Sequence, residues 1–272
     1  MLGLSKQGYY QRRENRKKER DQEQVICRLV RDLRRLMPRL GTRKVYYLIK
    51  PKLEEMDIRI GRDQLFKILK KHYLLVSKRR KYHPTTQSKH QFFKYPNLIR
   101  ELKINKPEQV WVADITYIKT TQGYRYLHLI TDAYSKQIMG YQLSNNMKIE
   151  TAVKTLKTAL NRRKYTHQLI HHSDRGLQYA HNAYTQVLNQ NQVLVSMTTK
   201  YDPYENAIAE RVNGILKDEF DIGEGFLNPL QANKWIRESV QLYNTVRPHL
   251  SCGMLTPEQA HQTTKSLKQC WK

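Results

Sequence analysis

Acidic residues are scarce in this chain, and so are cysteines and long apolar runs. Aspartate and glutamate together number 24 against 49 lysines and arginines, giving a net charge of +25 over 272 residues. That imbalance favours a polyanionic partner over a membrane surface or an acidic protein, because each phosphate neutralised by a cation releases condensed counterions. The three cysteines, Cys27, Cys252 and Cys270, are odd in number and far apart. They argue against a disulfide framework, and the absence of any CxxC spacing argues against a structural zinc site. No apolar run approaches the roughly 18 residues of a membrane span, and charge enters within the first dozen residues, so neither a span nor a secretory leader is expected. A reducing, bacterial cytoplasm suits this composition, with the protein associated with the nucleoid.

The length accommodates a core of roughly 150 residues and a smaller helical module. Val25, Leu29, Leu33 and Leu36 recur at helical spacing, and Pro38 to Gly41 breaks that pattern. Thr42 is placed to cap a second helix carrying Val45, Leu48, Ile49 and Leu53. A third helix starts at Arg62, with Leu65, Ile68 and Leu69 apolar. Short turns and basic faces fit a helix-turn-helix unit, with Arg62 and Lys67 as candidate DNA contacts; an ordinary small helical bundle is the alternative. From Gln64 to Arg100 there are ten lysines or arginines and no acid, including Lys78, Arg79, Arg80 and Lys81. This stretch reads as a basic linker lying along a phosphate backbone, or else as a merely solvated connector. Three β-rich runs follow, over 110–118, 126–132 and 138–143, as an antiparallel meander. Helix and strand then alternate: helix 149–160, strand 169–172, helix 184–189, strand 193–196 and helix 205–219. That order is α/β. The expected domains are 1–76 (helical, DNA-binding), 77–106 (linker), 107–222 (catalytic core) and 223–272 (a C-terminal helical extension).

Transfer at a phosphodiester calls for carboxylates that hold Mg²⁺, an ion that prefers oxygen ligands. Asp114 sits inside an apolar β-run, where a charge is costly unless paired or metal-bound. Asp174 follows a strand directly, a usual place for functional groups in α/β sheets. Glu210 lies on the 205–219 helix, sharing a face with Asn206 and Lys217 at four- and seven-residue spacing. Taken singly, each also reads blandly: a wet edge residue, a turn aspartate, a solvated helical glutamate.

Together these residues resemble a known pattern. Asp174 and Glu210 are separated by 35 residues, and Lys217 lies seven positions beyond Glu210. The stretches Trp111-Val112-Ala113-Asp114-Ile115-Thr116-Tyr117-Ile118, His172-Ser173-Asp174-Arg175-Gly176-Leu177-Gln178-Tyr179, Glu205-Asn206-Ala207-Ile208-Ala209-Glu210-Arg211 and Tyr243-Asn244-Thr245-Val246-Arg247-Pro248-His249 resemble the second-frame transposases of IS3-family insertion sequences, within the DDE transposases and retroviral-type integrases. The likeness runs over about residues 40 to 260. It departs at Glu205, where many relatives carry aspartate, and at Arg211-Val212-Asn213, where many carry Ser-Phe-Phe.

The resemblance implies a ribonuclease-H-like core and a catalytic triad of Asp114, Asp174 and Glu210 holding two Mg²⁺ ions, with Mn²⁺ as a substitute. The implied reaction is hydrolytic nicking at element ends, then strand transfer by the freed 3′-hydroxyl. Asn206, Arg175 and Lys217 would touch DNA. At least two protomers are implied, together with an upstream product joined by ribosomal frameshifting. Alternatives are a retroviral-type integrase, for which His83 and His90 lack a partnering CxxC, a catalytically inactive DNA-binding relative, and a ribonuclease H. A tyrosine or serine recombinase would need a covalent nucleophile, for which the 18 tyrosines are candidates by abundance only, with no arginine cluster to go with them.

Overall fold

The computed structural model describes residues 6–77, 93–199, 206–263 and 267, and divides into two compact units at residues 78/79. The basic run Lys78 to Lys81 lies outside the described residues, as does Glu205.

The first unit is three helices: α1 (Lys6–Leu36), α2 (Thr42–Glu55) and α3 (Arg62–Lys71). The buried stripe of α1 is Ile26, Cys27 and Val30. This corrects the phase expected from Val25, Leu29 and Leu36, the last of which is exposed. Both stripes have helical spacing, and only packing against α2 and α3 selects between them. A second correction concerns Thr42, which is the first buried residue of α2 while extended Gly41 occupies the cap position. Glu23 ties α1 to the end of α3, accepting from Lys71 Nζ at 2.7 Å and lying 3.0 Å from His72 Nε2.

The second unit is built on a five-stranded sheet, β1 (Val110–Thr120), β2 (Gly123–Asp132), β3 (Ile138–Ser144), β4 (Ile170–Ser173) and β5 (Leu194–Met197), in the order β3-β2-β1-β4-β5. The first three strands form the antiparallel meander; β4 and β5 add in parallel beside β1. Parallel addition needs crossovers, supplied by α4 (Ile149–Leu160), α5 (Leu177–Ala180) and α6 (Asn182–Gln190). This is the ribonuclease-H-like arrangement.

Alternation along β1 sorts the two faces. Trp111 and Ala113 join Leu156 and Ala159 of α4 and Tyr184 and Leu188 of α6 in one apolar cluster. Val110 and Val112 face the other way and meet Ala209 of α7 (Ala207–Glu219). Asp114 shares the parity of Val112 and so looks toward α7. Helix α4 crosses β3 closely at Gly140, where a Cβ would stand 2.6 Å from the Thr155 carbonyl oxygen. Ile99, Leu102 and Ile104 pack on the α7-side cluster. The end of the stretch expected to be a basic linker therefore packs, partly buried, against the core.

The C-terminal segment is likewise woven into the core. Asn244 of α8 (Pro229–Thr245) accepts from Ile138 N and donates to Ile138 O, each at 3.0 Å, as a neighbouring strand would. Helix α9 (Pro257–Gln262) opens with a capping box between Thr256 and Gln259. It delivers His261 to a buried cluster, 3.2 Å from Glu108 Oε1 and 3.0 Å from Ser135 Oγ. Ser135 Oγ in turn donates to Asp132 at 2.7 Å.

Candidate active site

Strand β1 carries Asp114 past the apolar cluster to the edge of α7. Its Oδ1 accepts from Ile115 N at 2.8 Å and its Oδ2 from Asn213 Nδ2 at 2.6 Å. Burial, the charge of Asp174 and, less strongly, that of Glu210 push its pKa up to about 7 against those two hydrogen bonds. Asp174 leaves the end of β4, beside β1, and accepts from Gly176 N at 3.0 Å. A Cβ at residue 176 would lie 2.9 Å from that Oδ1, so glycine lets the turn close on the carboxylate. Glu210 is exposed in the first turn of α7.

Strand β1, the end of β4 and the start of α7 thus bring Asp174 and Glu210 within electrostatic reach of Asp114. They are not drawn tight: among the described residues, no three His, Cys, Asp or Glu side chains are close enough to enclose a metal ion.

The stripe on α7 differs in part from expectation. Asn206, expected at DNA, is buried and donates to the Ala113 carbonyl at 3.3 Å, which anchors α7 to β1 beside Asp114. Asn213 was missed. It is three residues past Glu210 and seven past Asn206, so the same helical face would have pointed to it, but a helical amide carries no chemical flag of its own. It falls in the stretch where the chain departs from the pattern it resembles. The Oδ1 atoms of Asn206 and Asn213 are buried and have no hydrogen-bond partner among the described residues. Lys217 is half-buried; burial lowers its pKa while Asp114 raises it, which puts its ammonium in the field of that carboxylate. Arg175 donates from Nε to the Thr198 carbonyl at 2.7 Å, bridging the ends of β4 and β5. Arg62 pairs with Asp63 at 3.0 Å, and Lys67 is exposed on α3.

Two further features surround the site. Tyr179, buried beside it, has its phenol pKa raised by burial and by Asp174 and Asp114. At the far end of α7, Glu219 accepts both Nε and Nη2 of Arg247 at 2.8 Å. That buried fork fixes the helix end opposite Glu210 and gives the Tyr243-to-His249 motif a structural task.

The chain is similar to proteins of bacterial insertion sequences. Integrase core domain families match residues 104–203 and 191–257. A 31 kDa protein of insertion element IS600 from Shigella sonnei is 34% identical, over 96% of this chain and 98% of that one. The transposase InsF of insertion sequence IS3A from Escherichia coli K12 is 33% identical, over 70% of this chain and 67% of its own. Among solved structures, the catalytic core of HTLV-2 integrase in complex with magnesium superposes with a TM-score of 0.47 at 16% identity, covering 58% of this chain and 98% of that one.

Proposed function

This chain belongs to the IS3-type insertion-sequence transposases, which carry an integrase core and transpose DNA, and from that premise we propose that Asp114, Asp174 and Glu210 are its catalytic carboxylates. The observation that carries the reading is the placing of Asp114, hydrogen-bonded to Asn213 and Ile115 beside α7, where burial first, then the charge of Asp174 and least that of Glu210 push its pKa up to about 7. Such repulsion is costly in a protein with nothing to gain from it, and a divalent cation relieves it.

The residues present fit such an ion. The donor set is all oxygen, which suits Mg²⁺ or Mn²⁺. Two orphaned amide oxygens, of Asn206 and Asn213, lie buried beside it. Asp114 and Asp174 would hold the metal with Glu210 completing the set. Bound there, two ions would activate water or a 3′-hydroxyl and stabilise the leaving oxygen. The protein's own groups orient this site. Asn213 and the Ile115 amide hold both oxygens of Asp114, the Gly176 amide holds Asp174, and Lys217 supplies a cation for a phosphate oxygen. Hydrolytic nicking at the element ends, followed by strand transfer, is the reaction so served.

Two ends must be joined, so the working form contains at least two protomers. An upstream product or fusion partner would supply most of the end recognition, since residues 42–72 offer one compact helical unit.

The test is a donor-end nicking assay with Mg²⁺. Asp114→Asn, Asp174→Asn and Glu210→Gln each abolish nicking and strand transfer, while DNA affinity stays level or rises, because removing negative charge beside phosphates does not weaken attraction. Full activity in any of the three defeats the assignment, and wild-type chain that binds DNA but never nicks it in either metal points to the inactive relative.

A further inference from the structure

The β1–β2 hairpin has a second surface that the carboxylates do not use. Tyr117 stands directly opposite Tyr126, and Lys119 directly opposite Tyr124, so by strand alternation all four project from the face away from Asp114. Tyr117 is 38% exposed and Tyr124 59%. Their rings meet edge to face, 6.2 Å between centroids, and Tyr117 meets Tyr126 at 5.2 Å. Lys119 is exposed beside them. Between Asp114 and Asp132 the chain contains no acidic residue.

Cross-strand aromatic packing explains why Tyr117 touches Tyr126, since such pairs stabilise a hairpin. It does not explain a tyrosine left mostly in solvent beside a lysine on an acid-free hairpin. Nor is the hairpin loose. Phe226 N donates to Lys119 O and Thr121 N to Phe226 O, each at 3.0 Å, so a neighbouring segment braces its tip from the edge.

We propose that this face is a stacking platform for unpaired bases of a DNA strand, with Lys119 meeting the phosphates between them. Exposed rings beside a cation accept any base by its π-face, and the hairpin itself brings no carboxylate to repel a phosphate, the acid of the bracing segment being Glu224. The platform also adjoins the site. Tyr117 Oη lies 3.9 Å from Met147 Sδ, and the Met147 carbonyl accepts from Gln178, four residues past Asp174, at 3.2 Å. Asp114 is three residues away on the same strand, about 10 Å along it, and points to the opposite face. The bases held here are therefore flanking ones, not those at the phosphodiester being cut.

The inference rests on the chain's handling of DNA and not on the carboxylate assignment. Binding is accordingly measured in chelator, where failure of one reading leaves the other untouched. The full chain is titrated against a fluorescein-labelled oligodeoxythymidine and against a duplex of equal length. Joint Tyr117→Leu and Tyr124→Leu substitution weakens single-strand binding about tenfold per ring and duplex binding by less than about threefold; the matching pair of phenylalanine substitutions binds nearly as wild type. Tyr124→Leu alone, at the more exposed ring, shows its single-ring loss even if the double variant folds poorly. Unchanged single-strand affinity, an equal loss on duplex, or a loss that phenylalanine does not rescue overturns the proposal. So does a Leu pair that alters sedimentation without altering DNA binding, which would make the face a protein contact.

Discussion

Replacing His261 with glutamine tests whether the C-terminal helix is held by charge. The imidazole is 1% exposed. Burial alone lowers its pKa, but hydrogen bonds and charge from Asp132 and Glu108 outweigh burial and leave it raised from 6.5 to about 9. A group whose folded pKa exceeds its unfolded one stabilises the fold fully below the unfolded value and loses that contribution as pH rises through the folded value. The window here is therefore pH 6.5 to about 9. At about 1.36 kcal/mol per unit, the raised pKa is worth about 3 kcal/mol at pH 6 and almost nothing at pH 10. Glutamine keeps a donor for Glu108 but no charge. In urea melts followed by tryptophan fluorescence, wild type exceeds His261→Gln by about 3 kcal/mol at pH 6, and the gap closes by pH 10. A gap of the same size at both pH values would refute the reasoning, since packing alone has no reason to titrate there.

Three more outcomes follow. Gly176→Ala pushes its new methyl against the Asp174 carboxylate, so nicking falls about tenfold or more while the melting temperature shifts little; unchanged nicking would mean the turn does not set that carboxylate. Arg247→Met takes the buried guanidinium fork from the partly exposed Glu219 and destabilises by about 3 kcal/mol in urea denaturation, and adding Glu219→Leu recovers much of the loss. Neutralising Lys78, Arg79, Arg80 and Lys81 together flattens the salt dependence of DNA binding by up to about 0.9 in slope for each lost phosphate contact; an unaltered slope makes that run a solvated connector.

What was legible in the sequence was mostly local. Asp114 stood out because a charge inside an apolar β-run is costly unless paired or metal-bound, and Asp174 because it follows a strand directly. The order of strands and helices followed from their periods. Pairings across long separations left no local trace. The phase of α1 depends on which neighbours it meets, so the wrong one of two helical stripes looked equally good. Asn244 reads as a helix-end polar residue until Ile138, 106 residues earlier, is beside it. Asn206 and Asn213 are amides on a helix, and only the position of β1 separates an anchor from a solvated side chain.

The pairing of Glu108 with His261 spans 153 residues, and it sets a boundary on any shortened gene. Similarity to the integrase core ends at residue 257, four positions before that histidine. A fragment cut where that domain match stops would keep every proposed catalytic side chain and discard the imidazolium that neutralises a wholly buried carboxylate next to β1. The same arithmetic applies on the ribosome: the strand that carries Asp114 emerges early, but its surroundings are balanced only when α9 has been made. The chain therefore completes its core late in synthesis, and premature termination between Glu210 and His261 yields a protein that keeps all three proposed carboxylates and an unfinished interior.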